Sequence, residues 1–226
     1  MEYTVAQTLL TARQRADVEN SQHFGAAEEL VLFNTAHAVL HSKKVMLSED
    51  QETRERTLYT AAGVTEYSVG SDFLKLVSVD LEVGDGSWAQ VPRWTWSDRH
   101  RLLDNTMLYE RRCSYRMVGT RIHLLPVPDA TRRVVIYYVR APFEATETTE
   151  TYEYGPGEHE WIVLDMAIKL LAKEESDPSL YLAERERLWA EVISPACATR
   201  DSSRAERIQD TRQDNQFWHS PNRWGY

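Results

Sequence analysis

The sequence predicts an α+β protein in which helices from both ends of the domain pack as a bundle and the strands between them form a separate sheet or barrel. Apolar residues recur at helical spacing near both ends of residues 1–195. Between residues 56 and 141 they alternate with polar residues, as they do in strands. Residues 196–226 hold few apolar side chains before the last ten, which predicts an extended C-terminal tail.

Two helices are predicted in the N-terminal part, over residues 4–19 and 22–42. Thr4 can cap the first helix, because its hydroxyl can accept a hydrogen bond from an unpaired backbone N–H of the first turn. The second helix is apolar on more than one side, so neighbouring helices or a neighbouring subunit must cover it. Its apolar side chains include Phe24, Ala27, Leu30, Val31, Phe33, Ala36, Ala38 and Leu40.

The β-rich insert, residues 56–141, follows a charged linker and ends before Pro142. Asp85-Gly86 is a strong signal for a two-residue hairpin turn, because both turn positions favour residues that tolerate a positive φ. Gly119-Thr120 separates a second pair of strands. The predicted strands cover residues 57–60, 65–68, 73–83, 87–94, 114–118, 121–125 and 133–139.

Two further helices are predicted in the C-terminal part, over residues 157–175 and 178–193. Acidic residues suit the positive N-terminal end of the first helix, and lysines suit its other end. Asp177-Pro178 begins the second helix, and Pro195 is expected to end it.

The tail ends in aromatic side chains that need an explanation. Large aromatic residues are preferred anchors in protein interfaces, because they offer a large contact area at a low entropy cost. We expect the tail to dock on another chain, and the alternative is that it folds back on its own domain. The candidate anchors are Phe217, Trp218, Trp224 and Tyr226.

The excess negative charge lies in one segment of the chain. The formal net charge is -9, and residues 141–195 hold 13 acidic residues against four basic ones. This charge argues against a general nucleic-acid coat, because binding to phosphates depends on Lys and Arg. The segment forms either solvated helix faces or a surface that repels an anionic partner. The candidate channel-facing carboxylates are Glu158, Glu160, Glu174, Glu175, Glu184 and Glu191.

No segment has the spacing of a known catalytic, nucleotide-binding or metal site, so we expect neither an enzyme nor a cofactor. The adjacent residues His159 and Glu160 lack a partner at i+3 or i+4, and helix capping explains them better than a site does. His123 fits a strand position. Asp165 lies at the border of an apolar helix face and must be paired or solvated, and an arginine on another helix or subunit is a candidate partner. The enzyme alternative is a small hydrolase or nuclease that uses these residues.

The run from Arg93 to Arg101 interleaves basic and aromatic residues, as proteins that bind single-stranded nucleic acid do. Trp94 and Trp96 would share one face of a strand, so packing in the core or at an interface is expected instead.

Compartment and membrane association are constrained by other residues. Cys113 and Cys197 match no redox or metal spacing, so two free thiols in a reducing compartment are expected. No apolar run follows Met1, and no stretch approaches the roughly 18–20 apolar residues of a membrane span. We therefore expect a protein that is neither secreted nor inserted in a membrane.

The succession of elements resembles the head-to-tail adaptor, or connector, proteins of tailed bacteriophages. The resemblance covers residues 4–192. It rests on the paired N-terminal helices and on four later segments: residues 64–83, which begin VTEYSVGSDFLKL, 115–126 with the turn at Gly119, 134–142, and the helix from Glu158.

This resemblance implies a structural virion protein of the neck, made in the host cytoplasm, that forms a twelve-fold ring under the portal. Such a ring extends the DNA channel, lets the genome pass without specific binding, and provides the attachment site for the tail or nozzle protein. The aromatic anchors of the tail would then bind the portal. The alternatives are another neck or tail component, such as a stopper or tail terminator, and a nucleic-acid-binding module.

Overall fold

The computed structural model of the protein describes residues 2–21, 23–84, 86–103, 113–155 and 157–198. The helices are α1 (Val5–Arg15), α2 (Ala26–Leu47), α3 (Arg99–Leu103), α4 (Glu158–Lys173), α5 (Ser179–Leu188) and α6 (Ser194–Ala198). A π-helical turn, Trp189–Ile193, joins α5 to α6, and 3-10 turns lie at Glu49–Glu52 and Trp96–Asp98. The strands are β1 (Glu2–Thr4), β2 (Thr53–Tyr59), β3 (Glu66–Ser68), β4 (Phe73–Glu82), β5 (Trp88–Gln90), β6 (Ser114–Val118), β7 (Arg121–Leu125), β8 (Arg133–Arg140) and β9 (Thr151–Glu153).

The helical bundle consists of α1, α2, α4 and α5, and its apolar core is built by residues from both ends of the described chain. Phe33 of α2 and Trp161 of α4 are fully buried in it. The strands β1 and β9 pair antiparallel beside this core and contribute Tyr152 to it. Thr4 caps α1 as predicted: its hydroxyl accepts from the Gln7 N–H, and the Gln7 side chain accepts from the Thr4 N–H.

The β part, residues 53–140, has a second apolar core of its own. A four-stranded sheet of order β2-β8-β4-β5 faces a three-stranded sheet of order β3-β7-β6. Side chains such as Leu81, Ile122 and Ile136 are buried between them. The prediction of an α+β fold, with a helical bundle and a separate β-rich insert, is therefore confirmed.

The N-terminal helices differ in their bounds from the prediction over residues 4–19 and 22–42. The first helix ends at Arg15, and Asp17 adopts a positive φ of 55° that breaks the helical path. The second begins after Gly25 and continues to Leu47. It passes through Lys44 because this lysine is buried in an ion pair with Glu52 and does not mark a solvated helix end.

Two strands, β1 and β9, were not predicted. Each has three residues, and they pair with each other across most of the chain, so neither carries a local hairpin signal. The region predicted as a charged linker instead forms the 3-10 turn Glu49–Glu52 and the start of β2.

The C-terminal helices also differ from the predicted ranges of 157–175 and 178–193. The prediction that Pro195 ends the last helix is wrong, since Pro195 lies in the first turn of α6. A proline is tolerated there because the first turn of a helix does not use its backbone N–H groups. Residues 196–198 are therefore helical, and Cys197 is buried. The candidate anchors Phe217, Trp218, Trp224 and Tyr226 lie outside the described residues.

Candidate functional site and interaction surfaces

A cluster of buried charges lies where the helical bundle meets the β part, and we call Lys44, Glu52, Arg140 and Glu158 the polar joint. Lys44 Nζ lies 2.7 Å from Glu52 Oε1 and 3.0 Å from Glu158 Oε1. Arg140 Nε donates to Glu52 Oε2 at 2.8 Å. Lys44 comes from α2, Glu52 from the 3-10 turn, Arg140 from the end of β8 and Glu158 from the start of α4. The joint thus ties four elements together.

The ion pairs of the polar joint outweigh the cost of burial. Burial alone would raise the pKa of Glu52, but hydrogen bonds and positive charge from Lys44 and Arg140 hold it below its usual value. Burial alone would lower the pKa of Lys44, and the carboxylates of Glu52 and Glu158 raise it above its usual value. Glu52 and Lys44 are therefore both charged near neutral pH, and the polar joint is held together by ion pairs.

Two histidines of α2 lie against the polar joint. Burial, with the nearby His41, Arg140 and Lys44, lowers the pKa of His37 to about 4, and Glu52 only partly opposes this. The His37 ring lies among the rings of Phe33, Phe143, Tyr152 and Tyr154. His37 is therefore neutral at pH 7.

A cavity of about 690 Å³ opens beside the joint. Its lining includes Lys44, Glu52, Arg140 and Glu158, and also Glu2 and Glu153 of the β1–β9 pair. No group of three or more His, Cys, Asp or Glu residues that could hold a metal ion occurs in the described part of the chain. The cavity is thus a polar seam between the bundle and the β part.

The histidines considered for acid–base chemistry have packing roles. His159 stacks on Tyr3 at 3.9 Å between ring centroids and 6° between planes, and burial lowers its pKa. The adjacent Glu160 instead accepts from Arg15 at 2.5 Å, so these two residues do not form a site together. The Nδ1 atom of His123 on β7 lies 3.8 Å from Oε1 of Glu66 on β3.

Asp165 is buried and pairs with two cations. Its Oδ1 accepts from Arg185 Nη1 at 2.5 Å, and its Oδ2 lies 2.6 Å from Lys169 Nζ. The predicted bridge to an arginine on another helix is confirmed, because Arg185 comes from α5. The Arg185 guanidinium also lies over the Trp161 ring at 5.5 Å. Asp165 therefore joins α4 to α5.

The six predicted channel-facing carboxylates fall into two groups. Three of them have partners in the protomer: Glu158 pairs with Lys44, Glu160 pairs with Arg15, and Glu174 accepts from Ser21 Oγ at 3.0 Å. Glu158 is buried, so its carboxylate faces the interior and cannot belong to a solvated surface. The other three, Glu175, Glu184 and Glu191, form no ion pair within the described residues.

One side of α2 is apolar and uncovered. Phe33, Leu40 and Lys44 are on its buried side. On the opposite side Val31, Val39 and Met46 are 62%, 41% and 86% exposed, at a spacing of about two turns. We expected this helix to need cover on more than one side. In the single protomer one of these sides, with Val31, Val39 and Met46, remains uncovered.

The aromatic and basic run of the β part is half core and half surface. Trp94 is buried, whereas Trp96 is 53% exposed and meets it edge to face at 5.2 Å between ring centroids. The Arg116 guanidinium lies 4.8 Å from the Trp96 ring and 5.4 Å from the Trp94 ring. The Arg99 guanidinium lies 6.0 Å from the Trp96 ring.

A comparison with protein families decides between the possible classes of protein. The family model described as SU10 adaptor protein matches residues 4–224, which is nearly the whole chain. The chain belongs to the SU10 adaptor protein family. A search of the curated proteins finds no match.

As an SU10 adaptor protein, the chain is a structural bacteriophage protein, and membership of an adaptor family favours a non-enzymatic role. Among the helices that the structure describes, none is both long and apolar enough to span a membrane.

The polar joint was missed at the level of sequence, although one signal for it exists. Lys44 follows Phe33, His37 and Leu40 at helical spacing, so it shares the buried side of α2. A lysine on the buried side of a helix requires a buried anion as its partner, and the acidic 3-10 turn that follows supplies Glu52.

Proposed function

We propose that this SU10 adaptor protein is the head-to-tail adaptor of a tailed bacteriophage, located in the neck of the virion. Copies of the chain form a ring under the portal, extend the DNA channel and provide the attachment site for the tail. The family match and the agreement of the fold with the resemblance support this proposal. The resemblance also implies that the ring is twelve-fold and that the chain is made in the host cytoplasm.

The observation that carries the proposal is the uncovered apolar side of α2. Val31, Val39 and Met46 lie on a helix whose opposite side is fixed in the bundle core, so the protomer cannot turn them inward. Large apolar side chains that recur along one exposed side of a helix favour a contact with another protein. A ring is built from heterologous contacts, in which this side of one copy packs on a different surface of the next.

The carboxylates Glu175, Glu184 and Glu191, which form no ion pair in the described part of the chain, support a role in DNA passage. An acidic lumen repels the phosphate backbone, whereas each basic lining residue would add salt-dependent affinity and slow the genome. We place these three residues on the channel wall, and the genome passes through without specific binding.

The tail supports attachment to the portal. Residues 199–226 carry the anchors Phe217, Trp218, Trp224 and Tyr226 on a segment too polar to form a core of its own. An extended segment of this length reaches roughly 90 Å, enough to contact a neighbouring ring.

The ring is tested by measuring the mass of the purified protein, alone and mixed with portal, by native mass spectrometry. The wild-type chain should form a closed oligomer in at least one of these conditions. Val39→Glu should weaken assembly without changing the free energy of unfolding, because it places a charge in the apolar contact. Val64→Glu is the matched control, since Val64 is 42% exposed on a loop of the β part. Equal assembly of the two variants would contradict the role of α2.

The tail is tested by deleting residues 202–226. The truncated chain should keep its far-UV circular dichroism and its assembly but lose binding to the portal, because the aromatic anchors are removed. Normal binding of the truncated ring to the portal would refute this part of the proposal.

A further inference from the structure

Trp96 and its neighbours form a surface that the apolar contact of α2 does not explain. Half of the Trp96 side chain is exposed, and its position is fixed by the buried Trp94, which meets it edge to face. Arg116 is held as well, since its Nη1 donates to the Trp94 carbonyl oxygen at 3.0 Å. The surface is thus rigid before any partner binds.

Two cations converge on this exposed ring without an anion to neutralise them. Arg116 and Arg99 both lie over Trp96, and neither forms an ion pair within the described residues. The nearby Asp98 is already engaged, because it accepts from Arg101 at 2.9 Å and from Thr95 at 2.5 Å. Guanidinium groups bind carboxylates well in such a setting, since they are planar, always charged and weakly hydrated.

The same geometry argues against single-stranded nucleic acid. A base would have to stack on the face of Trp96, but guanidinium groups lie over that ring and Trp94 takes its edge. A base could stack there only after displacing an arginine. A carboxylate-bearing protein surface is the better fit, because it can use the N–H groups of both guanidinium groups.

A complementary feature lies on the bundle side of the same chain. Glu2 and Glu153 are paired residues of β1 and β9, so both side chains point to the same face of this two-stranded sheet. Both are exposed, and neither forms an ion pair within the described residues, although Arg54 lines the same cavity. Tyr3 and Tyr152 on the opposite face pack into the bundle core and hold the two carboxylates in position. Like charges placed directly opposite in a strand pair repel each other.

We propose that Arg99 and Arg116 of one copy bind Glu2 and Glu153 of the adjacent copy of this chain. The contact neutralises two cations and two anions that form no ion pair among the described residues of the protomer, and its two sides differ, as a head-to-tail ring requires. It rests on the proposed ring, because it needs an adjacent copy. It adds a polar contact, which fixes the register between copies, to the apolar contact of α2.

The test is a charge exchange between copies, followed by sedimentation velocity at low salt. Arg99→Glu and Glu153→Arg should each raise the concentration needed for assembly by about tenfold, since each places two like charges in contact. The two single variants, mixed in equal amounts, should assemble like wild type. In the mixture every contact can form between opposite charges when the two variants alternate around the ring.

Two matched variants serve as controls. Arg133→Glu removes an exposed arginine that lies over Trp88 elsewhere in the β part. Glu144→Arg reverses the charge of an exposed carboxylate outside the β1–β9 pair. Single variants that assemble like these controls would overturn the contact while leaving the ring intact. Weakened single variants that fail to recover on mixing would overturn the pairing of Arg99 with Glu153, because the two residues would then act in assembly through different contacts. Wild-type chains that stay monomeric, alone and with portal, would overturn the ring and this contact together.

Discussion

Lys44→Met should destabilise the protein strongly at neutral pH, because it removes the central cation of the polar joint. The side chains of Lys44, Glu52 and Glu158 are only 10%, 5% and 10% exposed, so neither carboxylate can recover its hydration in the folded state. Glu52 keeps Arg140, whereas Glu158 loses its ion pair. Removing one partner of a buried ion pair costs about 3–5 kcal/mol.

The loss should shrink in acid, and this sign distinguishes charge from packing. The pKa of Glu52 is held below its ordinary value of 4.5 in the folded protein, so the wild type has the full stabilisation above that pH. The wild type loses this stability as the pH falls through the folded pKa, whereas the variant, in which only Arg140 still lowers the Glu52 pKa, has less of it to lose. The difference between the two should therefore be smaller at pH 4 than at pH 7.

Urea unfolding followed by circular dichroism measures both quantities. Lys75→Met is the matched control, because Lys75 pairs with Glu49 at the surface, where both side chains are well exposed. It should cost no more than about 1 kcal/mol. A Lys44→Met variant as stable as this control, or a loss that does not shrink at pH 4, would refute the reasoning.

Two other changes probe buried charge in the bundle. His37→Gln should flatten the pH dependence of the free energy of unfolding between pH 6.5 and about 4. In that range the histidine takes up a proton in the unfolded chain but resists protonation in the folded protein. His37 should therefore lower the free energy of unfolding of the wild type by about 3 kcal/mol across this range, as measured by urea unfolding. Asp165→Asn should lower the free energy of unfolding by about 3 kcal/mol, because it leaves Arg185 and Lys169 without their anion, and partial exposure of these cations limits the loss.

Exposed residues of the same types provide the controls for these two predictions. His100→Gln should keep the wild-type pH dependence, and Asp50→Asn should change the free energy of unfolding by less than about 0.5 kcal/mol. A His37 variant that follows the wild-type pH curve, or an Asp165 variant as stable as the Asp50 variant, would contradict the assigned roles.

Local signals were sufficient to predict much of the β part. The strands Ser114–Val118 and Arg121–Leu125 match the predicted bounds, because Gly119 supplies the positive φ of 59° that their turn requires. The β1–β9 pairing could not be predicted in this way. Its register depends on contacts between residues about 150 positions apart, and three residues give no periodicity to detect.

Among the residues of the candidate site, local signals again predicted some contacts, and those that depend on distant parts of the chain were missed. Asp165 was predicted to be paired or solvated, with an arginine on another helix or subunit as a candidate partner, because it lies at the border of an apolar helix face. Lys44 lies beyond the predicted end of the second helix at residue 42, so the sequence did not predict its place on the buried side of that helix. Its burial depends on Glu52, Arg140 and Glu158, which come from three other elements and meet only in the folded chain.

The antiparallel pairing of β2 with β8 places the two ends of the β part next to each other. Thr53 and Val139 are direct partners, so the chain leaves the bundle and returns to it through neighbouring strands. A short turn from residue 52 to residue 141 could close that gap while the bundle core, built by residues outside 53–140, keeps its own contacts. The β part can therefore differ in size or surface without changing the residues that build the core of the bundle.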